Sequence, residues 1–103
     1  MKDWLQSIEN EVKSNKVVLY MKGSKSFPMC GFSAVVCQIL EKLGVDFKDV
    51  NVLEDENLRV AIKQFSDWPT IPQLYINGEF IGGSDIAKQL YENGELQKLL
   101  NKI

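Results

Sequence analysis

"WPTIPQLYINGEFIGGSD" (residues 68–85) decides the fold of this chain. Pro69 and Pro72 bracket Thr70-Ile71 and forbid a helix, because proline lacks an N–H and pushes the residue before it towards extended backbone. "QLYI" and "EFIG" flank Asn77-Gly78, a pair that accepts the positive φ angles of a two-residue hairpin turn. Two antiparallel strands are therefore expected. Gly82-Gly83 ends the second, and Ser84 or Asp85 is placed to cap a helix from Ile86 to Tyr91.

Upstream, Trp4, Leu5, Ile8 and Val12 repeat at helical spacing. "VVLYM" (17–21) is short, apolar and rich in β-branched residues, as in a strand buried on both faces. "GSKSFP" (23–28) is a loop by composition. Val35, Val36, Ile39, Leu40 and Leu43 mark a second helix, with Gly44 at its C-terminal end. "VDFKDVNV" (45–52) is a weaker strand. Leu58, Ala61, Ile62 and Phe65 define a third helix, with Asp55 and Glu56 near its positive end. Beyond Asn93-Gly94, Leu96, Leu99, Leu100 and Ile103 define a last one. The strand–helix–strand unit calls for a parallel pair, and the hairpin adds two antiparallel strands. The expected fold is α/β: a four-stranded mixed sheet flanked by helices on both faces. At 103 residues the chain is long enough for one core, so a single domain over 1–103 is expected.

A formal net charge of −2 argues against a general nucleic-acid binder. No apolar run reaches the ~20 residues of a membrane span. The amphipathic, acidic start "MKDWLQSIENEVK" lacks the marks of a secretion signal or transit peptide, so a reducing, cytoplasmic location is expected. Two cysteines make a poor disulfide framework, and the absence of histidine removes most zinc sites and every Cys–His catalytic pair.

Cys30 stands between the loop and the second helix. Free N–H groups and the partial positive charge at a helix start favour a thiolate over a thiol. Lys22 and Lys25 are placed to add to the effect. A buried structural cysteine is the competing reading, and a position between Met29 and Gly31 in a loop weighs against it. Gly31 lets the backbone approach a ligand closely. Phe32 reads either as core or as an exposed aromatic shielding the sulfur. Ser33 occupies the position where a redox pair would carry its second thiol; a hydroxyl cannot close that disulfide but can donate a hydrogen bond to Cys30. Seven residues of helix rise roughly 10 Å, beyond the ~7 Å between Cα atoms that a disulfide spans, so Cys37 is no substitute and reads as an inert core thiol.

Arg59 and Lys63, four apart, share one face of the third helix, and Lys22 ends the buried strand on the side where the Cys30 loop emerges. Three cations around one thiol suit a small ligand with several carboxylates. A cis bond before Pro72 would present the Ile71 N–H and C=O as a strand edge for a peptide. Ser84 and Asp85 offer N–H groups to another carboxylate, and the Asp85 side chain can accept from an amine. The implied ligand is a short peptide with two carboxylates and one amine.

"KGSKSFPMCGFS" (22–33), "WPTIPQLYINGEFIGG" (68–83) and the following Asp85 resemble the monothiol, CGFS-type glutaredoxins across essentially the whole chain. The resemblance implies a thioredoxin-like fold, glutathione binding, and a [2Fe–2S] cluster shared between two subunits and passed to other proteins. It implies that Cys30 is both the active thiol and the cluster ligand. Lys22, Arg59 and Lys63 would meet glutathione carboxylates, Thr70 and Ile71 would pair with its backbone beside a cis Pro72, and Gly83, Ser84 and Asp85 would hold its γ-glutamyl end. Implied partners are iron–sulfur scaffold and acceptor proteins and BolA-like proteins, with a monomer in the absence of cluster and a dimer in its presence. Many members carry cysteine where this chain has Ser84, so a disulfide from Cys30 to that position is impossible here. Two alternatives stand beside the carrier. One is a glutathione-dependent reductase of glutathionylated proteins working through one thiol. The other is an adaptor using Trp68, Phe32 and the Cys30 rim. By the resemblance, the loop Ser24–Pro28 favours the carrier.

Overall fold

The computed structural model describes residues 3–101. Helix α1 (Trp4–Ser14) starts where the Asp3 carboxylate accepts the Gln6 N–H, and it buries Ile8 and Val12. Leu5, expected on the apolar face, is exposed. Strand β1 (Val17–Met21) is buried throughout because both its faces are covered. Val17, Leu19 and Met21 join one core with α2 (Gly31–Lys42), α4 (Ser84–Glu92) and α5 (Glu95–Asn101). Val18 and Tyr20, pointing the other way, join a second core with α1 and α3 (Glu56–Ser66).

The sheet order is β2-β1-β3-β4, with β2 (Lys48–Asn51) parallel to β1 and β3 (Gln73–Ile76) antiparallel to it. β4 (Glu79–Gly82) pairs antiparallel with β3. Asn77 and Gly78 both have positive φ, 54° and 83°, as the hairpin reading requires. The expected mixed sheet with helices on both faces is therefore present. The Ile71–Pro72 bond is cis.

Three boundaries differ from the sequence reading. β2 begins at Lys48 rather than Val45, because the Val45 N–H is spent on Leu40 O (3.1 Å), closing the end of α2. A 3₁₀ turn over Val52–Glu54 follows β2, held by the Asn51 side chain accepting the Leu53 N–H. α4 begins at Ser84 rather than Ile86, and neither Ser84 nor Asp85 caps it: Gly83 is the N-cap, its carbonyl accepting the Ala87 N–H at 3.0 Å. Both expected caps thus lie within the first turn. Ile103, expected on the last helix, lies outside the described residues.

Candidate functional site

Cys30 is the N-cap of α2, in extended backbone, with no side-chain cap bond among the described residues. Its thiol is therefore left beside the open N–H groups of the first turn. The chain reaches this point through a loop closed on itself. The Ser24 N–H donates to Phe27 O (3.1 Å), the Phe27 N–H to Ser24 O (3.0 Å), and the Met29 N–H to Lys22 O (2.9 Å). Gly23 is required for the closure: its φ is +90°, and an added Cβ would lie 2.5 Å from Phe27 O. Two side chains of β2 tie the loop down. Asn51 Oδ1 accepts the Gly23 N–H (3.0 Å) and Asp49 Oδ2 accepts the Lys25 N–H (2.8 Å).

This surrounding holds the Cys30 thiol below its ordinary value. The Ser33 N–H is the main cause; partial burial opposes it, while the Phe32 N–H, the Lys22 charge and the Ser33 hydroxyl reinforce it. Ser33 is fully buried, and its hydroxyl oxygen accepts the Lys22 N–H at 3.1 Å. The hydroxyl at this position thus joins the end of β1 to the start of α2.

Lys25 does not act on Cys30 as expected. Its ammonium bonds Phe47 O, lies 4.5 Å from the Phe47 ring centroid and stands 3.7 Å from Asp46. The Asp49 tether on its own N–H accompanies this turn towards β2, away from the thiol. Cys37 is buried, with its Sγ 3.6 Å from Met21 Sδ, and burial pushes its pKa up to about 11, with Glu41 and Asp49 adding to the effect. Both cysteines are free thiols.

A cleft of about 460 Å³ opens beside Cys30. It gathers Lys22 from the end of β1, Arg59 and Lys63 from α3, Thr70, Ile71 and Pro72 from the segment before β3, and Ser84 and Asp85 from the start of α4. Four separated parts of the sequence meet there. Gly83 flanks the lining: a Cβ added to it would stand 3.3 Å from Pro72 O and 3.6 Å from Trp68 Nε1. Phe32 is 63% exposed and lines the cleft, which settles its reading as a surface aromatic. Arg59 is partly engaged, its guanidinium 3.8 Å from Glu56. Pro69, read from sequence only as a helix breaker, forms part of the wall. A larger groove, about 590 Å³, lies along the β2 edge and includes Lys25, Asp46, Phe47 and Lys48. It contains neither cysteine, whereas Cys30 lines the cleft.

A glutaredoxin family model matches residues 17–81. The chain belongs to the glutaredoxin family, in its monothiol branch. It is 64% identical over 96 residues to "Probable monothiol glutaredoxin 2" of Rickettsia typhi, covering 93% of this chain and 86% of that one. It is 56% identical over 96 residues to "Monothiol glutaredoxin-S14, chloroplastic" of Arabidopsis thaliana, covering 93% of this chain and 56% of that one. The solution structure of reduced poplar apo GrxS14 superposes with a TM-score of 0.84 at 54% identity, covering 94% of this chain and 89% of the other. The fold is thus the thioredoxin-like fold of glutaredoxins. In this glutaredoxin Cys30 is the lone cysteine of the cleft, and no helix among the described residues is long and apolar enough to cross a membrane.

Proposed function

We propose that this monothiol glutaredoxin binds glutathione in the cleft and carries a [2Fe–2S] cluster between two copies of itself, delivering it to acceptor proteins. The observation that carries the reading is the make-up of the cleft: a thiolate-favouring sulfur, three cations, a segment leading into a strand and an open helix start around one volume. Glutathione has two carboxylates, one amine and a thiol, and each has a chemical counterpart there. Lys22, Arg59 and Lys63 attract carboxylates. The backbone of Thr70 and Ile71 lies just beyond the end of the β1–β3 ladder at Tyr20 and Gln73, where a peptide can add as a strand. The N–H groups at Ser84 and Asp85 suit the γ-glutamyl carboxylate, and the Asp85 side chain its amine.

The cluster is cargo, and the donor set sets its stoichiometry. A [2Fe–2S] centre takes four thiolates. Cys37 is packed against Met21 in the core, so one chain offers Cys30 alone. Two chains and two glutathiones complete the set. A cluster held partly by exchangeable ligands suits transfer, and iron–sulfur scaffold, acceptor and BolA-like proteins are the partners this role calls for. Dependence on shared cluster also makes the chain a monomer without it and a dimer with it.

The half-buried, acidified thiol at the mouth of the cleft supports a second reading, exchange through one cysteine. The Cys30 thiolate attacks the glutathione sulfur of a mixed disulfide, releasing the protein thiolate and forming Cys30–glutathione disulfide. A second glutathione thiolate attacks that glutathione sulfur, giving glutathione disulfide and restoring the Cys30 thiolate.

Reconstitution under anaerobic conditions with iron, sulfide and glutathione separates the readings. The carrier reading predicts visible absorption and equal iron and acid-labile sulfide, lost in Cys30→Ser and kept in Cys37→Ser. Colourless protein that still turns over a glutathionylated substrate leaves only the exchange reading.

A further inference from the structure

Trp68, Pro69 and Thr70 are exposed, although the Trp68 ring leans on Phe80 with centroids 5.9 Å apart, so the segment that lines the cleft is held by its own side chains at one end only. A polar side chain inside the protein meets this segment from beneath. Gln73 is fully buried at the start of β3, on the α3 side of the sheet. Its Nε2 donates to Trp68 O and Thr70 O, both at 3.2 Å, and its Oε1 accepts the Tyr75 hydroxyl at 3.1 Å. Both amide protons are therefore directed at carbonyls of one short segment.

The contacts continue into α3. The Trp68 N–H donates to Ser66 Oγ (3.2 Å), and the Ser66 hydroxyl donates to Ile62 O (2.9 Å). The Trp68 N–H also reaches Lys63 O, at 3.2 Å. Tyr75 is wedged among Tyr20, Phe65 and Phe80, with ring centroids 5.7, 6.0 and 5.4 Å away. The ring whose hydroxyl donates to the amide is thus packed against three other rings. Among the described residues no buried side-chain polar atom lacks a partner, so an apolar side chain at 73 would take the Gln73 acceptor from the Tyr75 hydroxyl and free both carbonyls.

We propose that Gln73 is a positioning residue of the cleft: its buried amide holds the 68–70 carbonyls and so orients the Thr70-Ile71 backbone for a bound peptide. The ligand part rests on the glutathione reading above. Gln73 touches no ligand in this account; it acts through the segment it holds. Cys30, the N-cap of α2, has no hydrogen bond to this network among the described residues. Loss of the clamp should therefore weaken ligand binding while leaving the thiol titration unchanged, a split that general destabilisation would not produce.

The test uses the whole chain. In the parent protein, the Gln73 side-chain NH₂ protons should exchange with solvent at least tenfold more slowly than those of exposed Gln97 or Gln38. Rapid exchange overturns the clamp without any variant being made. In Gln73→Met, the amide resonances of residues 68–71 should shift, glutathione affinity by calorimetry should fall at least tenfold, and the pH midpoint of Cys30 alkylation should stay in place. Tyr75→Phe keeps both Nε2 bonds and should lose less affinity than Gln73→Met. Unchanged 68–71 resonances, or glutathione affinity within twofold of the parent, overturn the proposal. If the parent itself binds no glutathione, the functional reading and the ligand part both fall, and the exchange and resonance data still decide whether the clamp exists.

Discussion

Replacing Asn51 by alanine removes one acceptor that serves two N–H groups, Gly23 at 3.0 Å and Leu53 at 2.9 Å. The two losses differ in weight. Gly23 is buried, so its N–H is left without a partner at a cost of about 1–2 kcal/mol. Leu53 is exposed, so its N–H can turn to water and the loss is nearer ~0.5 kcal/mol. Asn51→Ala should therefore lower stability by about 2 kcal/mol, which for a chain of this size is roughly 8–16 °C in Tm. Asn51→Asp retains an acceptor oxygen and should recover most of the loss. Urea unfolding checks this directly: the midpoint should fall with an unchanged slope. The alanine variant should also loosen the 22–29 loop that delivers Cys30, seen as faster exchange of the Met29 amide. A loss below about 0.5 kcal/mol, or equal losses in the alanine and aspartate variants, would refute the reasoning.

Gly23→Ala should destabilise by at least ~2 kcal/mol, since a φ of +90° alone costs roughly 1–2 and the added Cβ meets the Phe27 carbonyl; unchanged thermal unfolding would contradict this. Alkylation of Cys30 should reach half its maximal rate below the ~8.5 of a free thiol, with Lys22→Ala moving the midpoint upward. Lys22→Ala should also weaken glutathione by ~1.5–3 kcal/mol, and calorimetry showing no change would place Lys22 outside the ligand's reach. Cys37 behaves in the opposite sense: its folded pKa of about 11 lies above that of the unfolded thiol, so the unfolded chain loses this proton first. Its stabilising contribution is complete below pH ~8.5 and declines as pH rises towards the folded value; Cys37→Ala should flatten the alkaline fall in stability between those limits.

The parts legible in sequence are those governed by short-range rules. Asn77-Gly78 specifies its turn because few other pairs accept two positive φ angles, and "VVLYM" reads as a doubly covered strand because nothing in it seeks water. Cys30 at a helix start was visible from loop composition before the first apolar repeat. The cations of the cleft could be read because Lys22 ends a strand of known direction and Arg59 and Lys63 share a helix face. Lys25 was misread because its direction depends on Phe47 and Asp46, about twenty residues away, and on a tether from Asp49. Asn51 and Gln73 left no pattern to find. Asn51 acts across 28 residues, and Gln73 interrupts no periodicity, so only the assembled sheet reveals what either side chain holds. Ser84 and Asp85, expected as caps, fall one and two positions past the true cap because Gly83 supplies the capping carbonyl without a side chain.

Native mass spectrometry after anaerobic reconstitution with iron, sulfide and glutathione tests the central claim most directly. The account predicts a species of two chains, two glutathiones, two irons and two sulfides, which falls to the bare monomer when the cluster is removed and never forms with Cys30→Ser. A metal-free monomer under those conditions, or a cluster-bearing species that retains its metal without Cys30, would contradict it.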